Sequence, residues 1–490
     1  MKGEFKVAVE QTSDGIKPVC VGLDVHKNNV YACVCVPHYE MKDGKLLRGK
    51  NKSKTQKFPS NYTDLCAMCN WIEETARKYG VDVDELPDPI DVYMESTGKY
   101  STPVFNVCEE KGLNPHIVNP KNVKMIAGQK TDVKDARWIA TLGLQNNLRP
   151  SYIPCREIRD ARRISRTRTK LVHSRGDEMR RIQNVLTEAN VRVDLIFSGI
   201  EGESARKVIT YLLETENPVL EELQKQIRKS CRIMKFKDIK ERKEKEEELR
   251  KAFLGAKFSS SQKFELRAAY KRIDRYDEEI RNYEDMMKDI LSPFKTELEL
   301  LESIPGVSRL SAMQILCEIG NDMDAFETEK NFISWCGLCP QSNQSNNKHK
   351  SVKIGKGGYY LKPVLIQCAL AAVKHPYYGN KYKTIYTRRG KKRALIAIAR
   401  KMMIAAYHML KTGEFFCPND LEIEEVEEEK IEQEQSEEMK TENVEEIEKA
   451  VQELVESTRR AEPELVEKVE NLIKQIMEQI PICSTLLNPC

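Results

Sequence analysis

Between Val19 and Val36 the chain runs apolar, breaks at a polar crossing and runs apolar again, VCVGLDVHKNNVYACVCV. Such runs predict a buried strand, a short turn and a returning strand, with Asp24, His26 and Lys27 at the crossing. NYTDLCAMCNWIEETARKYG then places aliphatic, cysteine and tryptophan positions on one side of a helix. DVYMES is the next strand, STPVFNVCEEKG a helix ending at Gly112, and PHIVNP a strand-type segment closed by Pro120. KTDVKDARWIATL returns to helical spacing. Strands alternating with helices imply an α/β sheet covered on both faces, over residues 17–154.

From 155 to 295 the pattern is that of long charged helices. REIRDARRISRTRTKLVHSRGDEMRRIQNVL is dense in arginine and lacks proline; Leu171, Val172, Met179, Ile182 and Leu186 form a narrow apolar stripe. That pattern predicts a long antiparallel hairpin or coiled coil. DLIFSGIEGESARKVITYLL is more apolar and carries turn residues, and a second charged helical region runs from about Asp238 to Leu291. Arg162, Arg163 and Arg166 on one flank would track a phosphate backbone; a solvated charged face is the alternative.

Residues 296–416 read as a mostly α-helical third unit. LLESIPGVSRLSAMQILCEIG resembles a helix-hairpin-helix element, with Gly306 and the next helix N-terminus offering amides to a phosphate, or simply a tight connection. From 417 to 490 the chain is a glutamate-rich linker; beyond Pro463, Leu465, Val466, Val469, Leu472, Ile473, Ile476 and Ile480 recur at helical spacing. From Leu421 to Cys490 there are 7 basic and 21 acidic residues, a net of −14, so the formal +4 of the chain leaves +18 on the body. A basic body suits a polyanionic partner, and the acidic tail would pair with a partner, shield that body or only solubilise it.

Fifteen cysteines at irregular spacings, without a secretory leader, point to a reducing cytoplasm, and no apolar run reaches transmembrane length. Cys66/Cys69 and Cys336/Cys339 have zinc-like spacing but fall in different predicted domains, which favours structural cysteines.

The candidate chemistry lies in four acids. Asp24 and Glu95 close apolar strands, while Asp132 and Asp135, three apart, share one helix face. Any one of them alone would serve equally as a strand-end or helix N-terminal acid. Converging, they would repel one another unless a cation lay between, and hard oxygen ligands suit Mg²⁺ or Mn²⁺.

In this order VGLDVHK, MESTGKY and VNPKNVKMIAGQKTDVKDARWIA resemble the DEDD transposases of insertion sequences, relatives of the pilin-gene invertases. The resemblance spans about Lys17 to Phe416. It implies a RuvC-like N-terminal domain of ribonuclease H fold, a coiled-coil arm, and a C-terminal transposase domain bearing a serine nucleophile. It further implies DNA recombination guided by a structured (bridge) RNA, in a dimer or tetramer where the serine of one copy meets the carboxylates of another. Asp24, Glu95, Asp132 and Asp135 are then the metal-binding catalytic acids. The family's C-terminal pattern matches at Gly337, Leu338, Pro340, Lys356 and Gly357, with Ser345 at the serine position and Lys348 after it. Lys130, Lys348 and Lys356 would steady phosphate beside the arginines. Asn346 and Asn347 replace usual glycines, and Lys362 a common arginine; Ser342 and Ser351 are rival nucleophiles if the loop is shifted. Two alternatives stay open: a metal-only nuclease or junction resolvase in which Ser345 is structural, and a defective copy that only binds nucleic acid.

Overall fold

The computed structural model describes residues 16–418 apart from 43–44, 124–130, 194–195, 198, 217, 220, 224, 226–243, 245–246, 249–250, 254–256, 341–343, 346–347, 350–353 and 356. Lys130, Lys356, Ser342, Ser351 and the acidic tail beyond 418 therefore lie outside the described residues. The chain divides into two compact units, Met1–Asp160 and Ala161–Cys490.

The first unit is a five-stranded mixed sheet. Its strands are β1 (Cys20–Val25), β2 (Asn29–Val36), β5 (Lys52–Pro59), β6 (Asp91–Glu95) and β7 (Asn114–Val118), in the spatial order β5-β2-β1-β6-β7. β1 and β2 pair antiparallel as a hairpin, β5 adds antiparallel to β2, and β6 and β7 run parallel to β1. A small hairpin, β3 (Tyr39–Lys42) with β4 (Lys45–Arg48), precedes the edge strand. β5 has no counterpart in the hydrophobic pattern read above. KSKTQKFP buries only Phe58, because an edge strand here keeps its polar side chains in solvent.

Both faces are covered, as alternating elements require. Val21, Leu23, Val92 and Met94 pack with α1 (Tyr62–Lys78) and α2 (Ser101–Glu110). Cys20, Cys33, Cys35 and Tyr93 lie on the other face, under α4 (Asp132–Leu144), through Ala136, Ile139, Ala140 and Leu144. Pro120, read as the end of a strand, instead opens a short helical turn, α3 (Pro120–Val123), where its missing N–H costs nothing.

The second unit is almost wholly helical. Most of α5 (Arg156–Glu188) belongs to it, and α7 (Ser260–Ile290), started by a capping box at Ser259, runs antiparallel to α5. Three ion pairs set the direction: Arg168 with Glu284, Arg175 with Asp277, and Arg272 with Glu178. Ile182, Leu186, Leu266, Ala269 and Ile273 share one core with α6 (Glu203–Glu214). Then follow α8 (Lys295–Ser303), α9 (Arg309–Ile319), α10 (Glu329–Trp335), a hairpin of β8 (Gln344–Ser345) and β9 (Lys348–His349), α11 (Leu361–Ala372), α12 (Pro376–Arg389) and α13 (Lys391–Thr412). In the Ile-Pro-Gly-Val turn, Gly306 has φ +89°, and a Cβ there would lie 2.5 Å from backbone atoms of Cys368 and Ala372. The glycine thus lets the turn approach α11 closely. No helix among the described residues is long and apolar enough to cross a membrane.

Candidate metal centre and serine hairpin

Asp24 and Asp132 meet because of strand parity and one glycine. Side chains two apart on a strand share a face, so Asp24 lies on the same face as Gly22 and Cys20, which is the α4 face. Gly22 has no side chain, and α4 sits directly on it: a Cβ there would lie 2.2 Å from the Ala136 carbonyl oxygen and 2.3 Å from the Ala140 nitrogen. Gly143, one helical repeat on, meets Cys20 and Tyr93 in the same way. This close seating presents the first turn of α4, with Asp132 and Asp135, to the end of β1.

His26 completes the cluster. Ligand atoms of Asp24, His26 and Asp132 all lie within 4.8 Å of one another. His26 Nε2 is 3.0 Å from Asp24 Oδ2 and 3.7 Å from Asp132 Oδ1. Burial pushes the Asp24 carboxyl above the usual range; His26 pulls it down, and the charges of Asp132 and Asp135 push it up again. Asp135 is therefore an electrostatic neighbour of Asp24 but outside the tight group of three. Glu95 also lies outside that group. It follows Met94, the parallel partner of Leu23, so the register sets it level with Asp24 on the next strand.

Two half-buried carboxylates and an exposed imidazole, crowded so that one acid resists ionising, fit a divalent cation. Oxygen donors favour Mg²⁺ or Mn²⁺, and the imidazole is tolerated better by Mn²⁺. The sequence pattern set His26 at the polar crossing beside Asp24 without counting it among the donors. The Asp-x-His spacing at a strand end, which turns both side chains to one side, is the signal that finds it.

Ser345 belongs to the second unit. Its backbone pairs with that of Lys348, and Gln344 with His349, in a short antiparallel hairpin. The base of this loop is pinned. Pro340 bridges Ile354, the Gly355 N–H donates to the Cys339 carbonyl at 3.3 Å, and Lys362 Nζ donates to the Gly355 carbonyl. Burial pushes the Lys362 ammonium below its usual range. Gly337 and Gly358, both at positive φ, sit against Gly357 and Cys336 with no room for a Cβ, so the turn that starts at Gly337 and the glycine pair at 357–358 form one knot.

The arginines expected on nucleic acid are bonded within the protein. Arg162 donates from Nε to the Cys317 carbonyl at 2.7 Å and from Nη2 to the Glu318 carbonyl at 3.0 Å. Both are carbonyls from the last turn of α9, where a cation also meets the negative end of the helix dipole. Arg166 grips the Glu318 carboxylate with two bonds, 2.8 and 2.7 Å, and stacks 4.8 Å from the Tyr360 ring centre. Arg163, between them, is exposed.

A family model described as transposase, of the DEDD IS110 type, matches residues 21–191, and one described as transposase of the IS116/IS110/IS902 family matches residues 298–384. No curated protein matches the chain.

Proposed function

This chain belongs to the IS110/IS116/IS902 family of DEDD-type insertion-sequence transposases and acts on DNA; from that membership we propose a serine–carboxylate mechanism for its strand transfer. The observation that carries this reading is the convergence of Asp24, His26 and Asp132 within 4.8 Å, beneath a helix seated on Gly22. Asp24, Asp132, Asp135 and Glu95 would hold Mg²⁺ or Mn²⁺, with His26 as a further donor or as the group orienting Asp24. When bound, the metal supplies charge stabilisation to the phosphoryl oxygens and eases loss of a proton from the attacking hydroxyl.

Ser345 is the proposed nucleophile. Its Oγ forms a bond to phosphorus as the bond from phosphorus to the 3′ oxygen breaks; the serine proton goes to a base, and the 3′ oxygen takes one up as a hydroxyl. The strand is then held as a phosphoserine ester until another 3′ hydroxyl attacks it. Lys348, and Lys130 and Lys356 from the sequence pattern, would steady phosphate oxygens, and the knot around Gly337 and Lys362 would hold the serine loop in register. We further propose a RuvC-like, ribonuclease H-type first domain, a paired-helix arm formed by α5 and α7, guidance by a structured RNA, and a dimer or tetramer in which the serine of one copy serves the carboxylates of another.

The test is covalent trapping. Protein with its co-purifying RNA is incubated with Mg²⁺ and DNA carrying the element's own junction, denatured, digested and mapped by mass spectrometry. A phosphoserine adduct at Ser345, missing in Ser345→Ala and in Asp24→Ala, is the expected result. Mg²⁺-dependent cutting that survives Ser345→Ala without an adduct would leave a metal-only nuclease.

A further inference from the structure

From Lys330 to Gly413 the chain contains no aspartate or glutamate, but 17 lysines and arginines. Since the body up to Asp420 carries +18, this one stretch supplies nearly all of its excess charge. Its densest part is Arg388, Arg389, Lys391, Lys392 and Arg393, which surround Gly390 at the corner where α12 ends and α13 begins. All five side chains are exposed. None of them forms an ion pair with a carboxylate among the described residues.

Several exposed cations of this unit stand differently. On α6 and α7 exposed cations stand beside acids: Lys207 with Glu203, Arg206 with Asp274, Arg275 with Glu279, and Lys288 with Asp285. Those are solvated faces of mixed sign. At the corner, three cations occupy the first turn of a 22-residue helix that has no acid there and no side-chain cap. Cations at the positive end of a helix dipole are unfavourable, so folding alone does not account for them, whereas an anion would relieve both. Tyr382 and Tyr386, at 5.6 Å between ring centres, lie with Arg389 along one face of α12, and Tyr386 is half exposed.

We infer that the α12–α13 corner is a contact surface for the phosphate backbone of nucleic acid, with Arg388, Arg389, Lys391, Lys392 and Arg393 as its cations and Tyr386 flanking it. The phosphate chemistry is shared by DNA and RNA. The surface shares no residue with the carboxylate cluster, so it is testable without metal.

The full chain, in EDTA, is titrated with a labelled duplex DNA and a labelled single-stranded RNA of unrelated sequence, from 50 to 300 mM salt. The variant changes all five corner cations to Gln. A control changes Lys207, Lys225, Lys251, Arg275 and Lys288 to Gln, removing the same charge from paired positions. Each lost phosphate contact should flatten the dependence of log affinity on log salt by about 0.9 for duplex and about 0.7 for a single strand. The corner variant should lose about three such contacts and roughly tenfold or more in affinity at 100 mM salt, with a melting temperature no lower than the parent's. The polymer losing more affinity identifies the source of the phosphate. Binding within twofold of the parent for both polymers, or an equal loss in the control, would overturn the inference.

Discussion

At the residue scale, Gly22 and His26 decide the site. Gly22→Ala would drive a methyl group into the backbone of α4, 2.2 Å from the Ala136 oxygen. The helix must then lift, which costs about 1–3 kcal/mol and carries Asp132 away from Asp24. Urea melts should show the destabilisation, and metal-dependent DNA cleavage should fall further than stability predicts. His26→Ala separates a donor from a bystander. Loss of a donor or of its orienting bond should weaken the apparent affinity for Mn²⁺ about 10–100-fold, read from the metal dependence of cleavage. An unchanged metal dependence would mark His26 as a surface residue.

At the element scale, each unit has an ionic anchor. In the first, Asp91 at the start of β6 accepts from Lys17, from Asn114 at 2.7 Å and from His116 at 2.7 Å. Burial pushes the Asp91 carboxyl up, but the bonds and charges of His116 and Lys17 outweigh it, and it titrates below the ordinary range. A carboxyl depressed in the folded state stabilises fully above its unfolded pKa, about 3.9, and loses that contribution as pH falls through the lower folded value. Asp91→Asn should therefore cost about 2 kcal/mol at neutral pH. The gap between parent and variant in urea melts should close below about pH 3.9. In the second unit, Arg162 and Arg166 tie α5 to the end of α9. Arg166→Lys keeps the charge but loses the fork onto Glu318 and the stacking on Tyr360, a loss of roughly 1 kcal/mol for a pair that is partly exposed.

At the scale of the whole molecule, charge is divided between the acid-free stretch at 330–413 and the acidic segment at 421–490. Removing 421–490 takes the formal charge from +4 to +18. Non-specific duplex binding at low salt should then tighten severalfold and become more salt-dependent. Equal affinity with and without the segment, by fluorescence anisotropy, would show that it acts in some other way.

The α/β pattern of residues 17–154 was legible because a buried strand must be apolar and a covering helix must repeat at 3.6, so local sequence carries both. The order of the acids was legible for the same reason: each sits at the end of a patterned element. The polar edge strand at Lys52–Pro59 was not, since its partner on β2, rather than its own composition, makes it a strand. Nor was the role of Arg162 and Arg166, whose partners lie more than 150 residues away. An arginine-rich helix reads alike whether it faces phosphate or the protein's own carbonyls. The sequence by itself determined the apolar-patterned elements, the family and the balance of charge, all of which are local or additive. Only the tertiary structure decided that His26 joins the acids, which arginines are engaged and which cations stand without an ion pair among the described residues, because pairing depends on distances in space that the chain order does not encode.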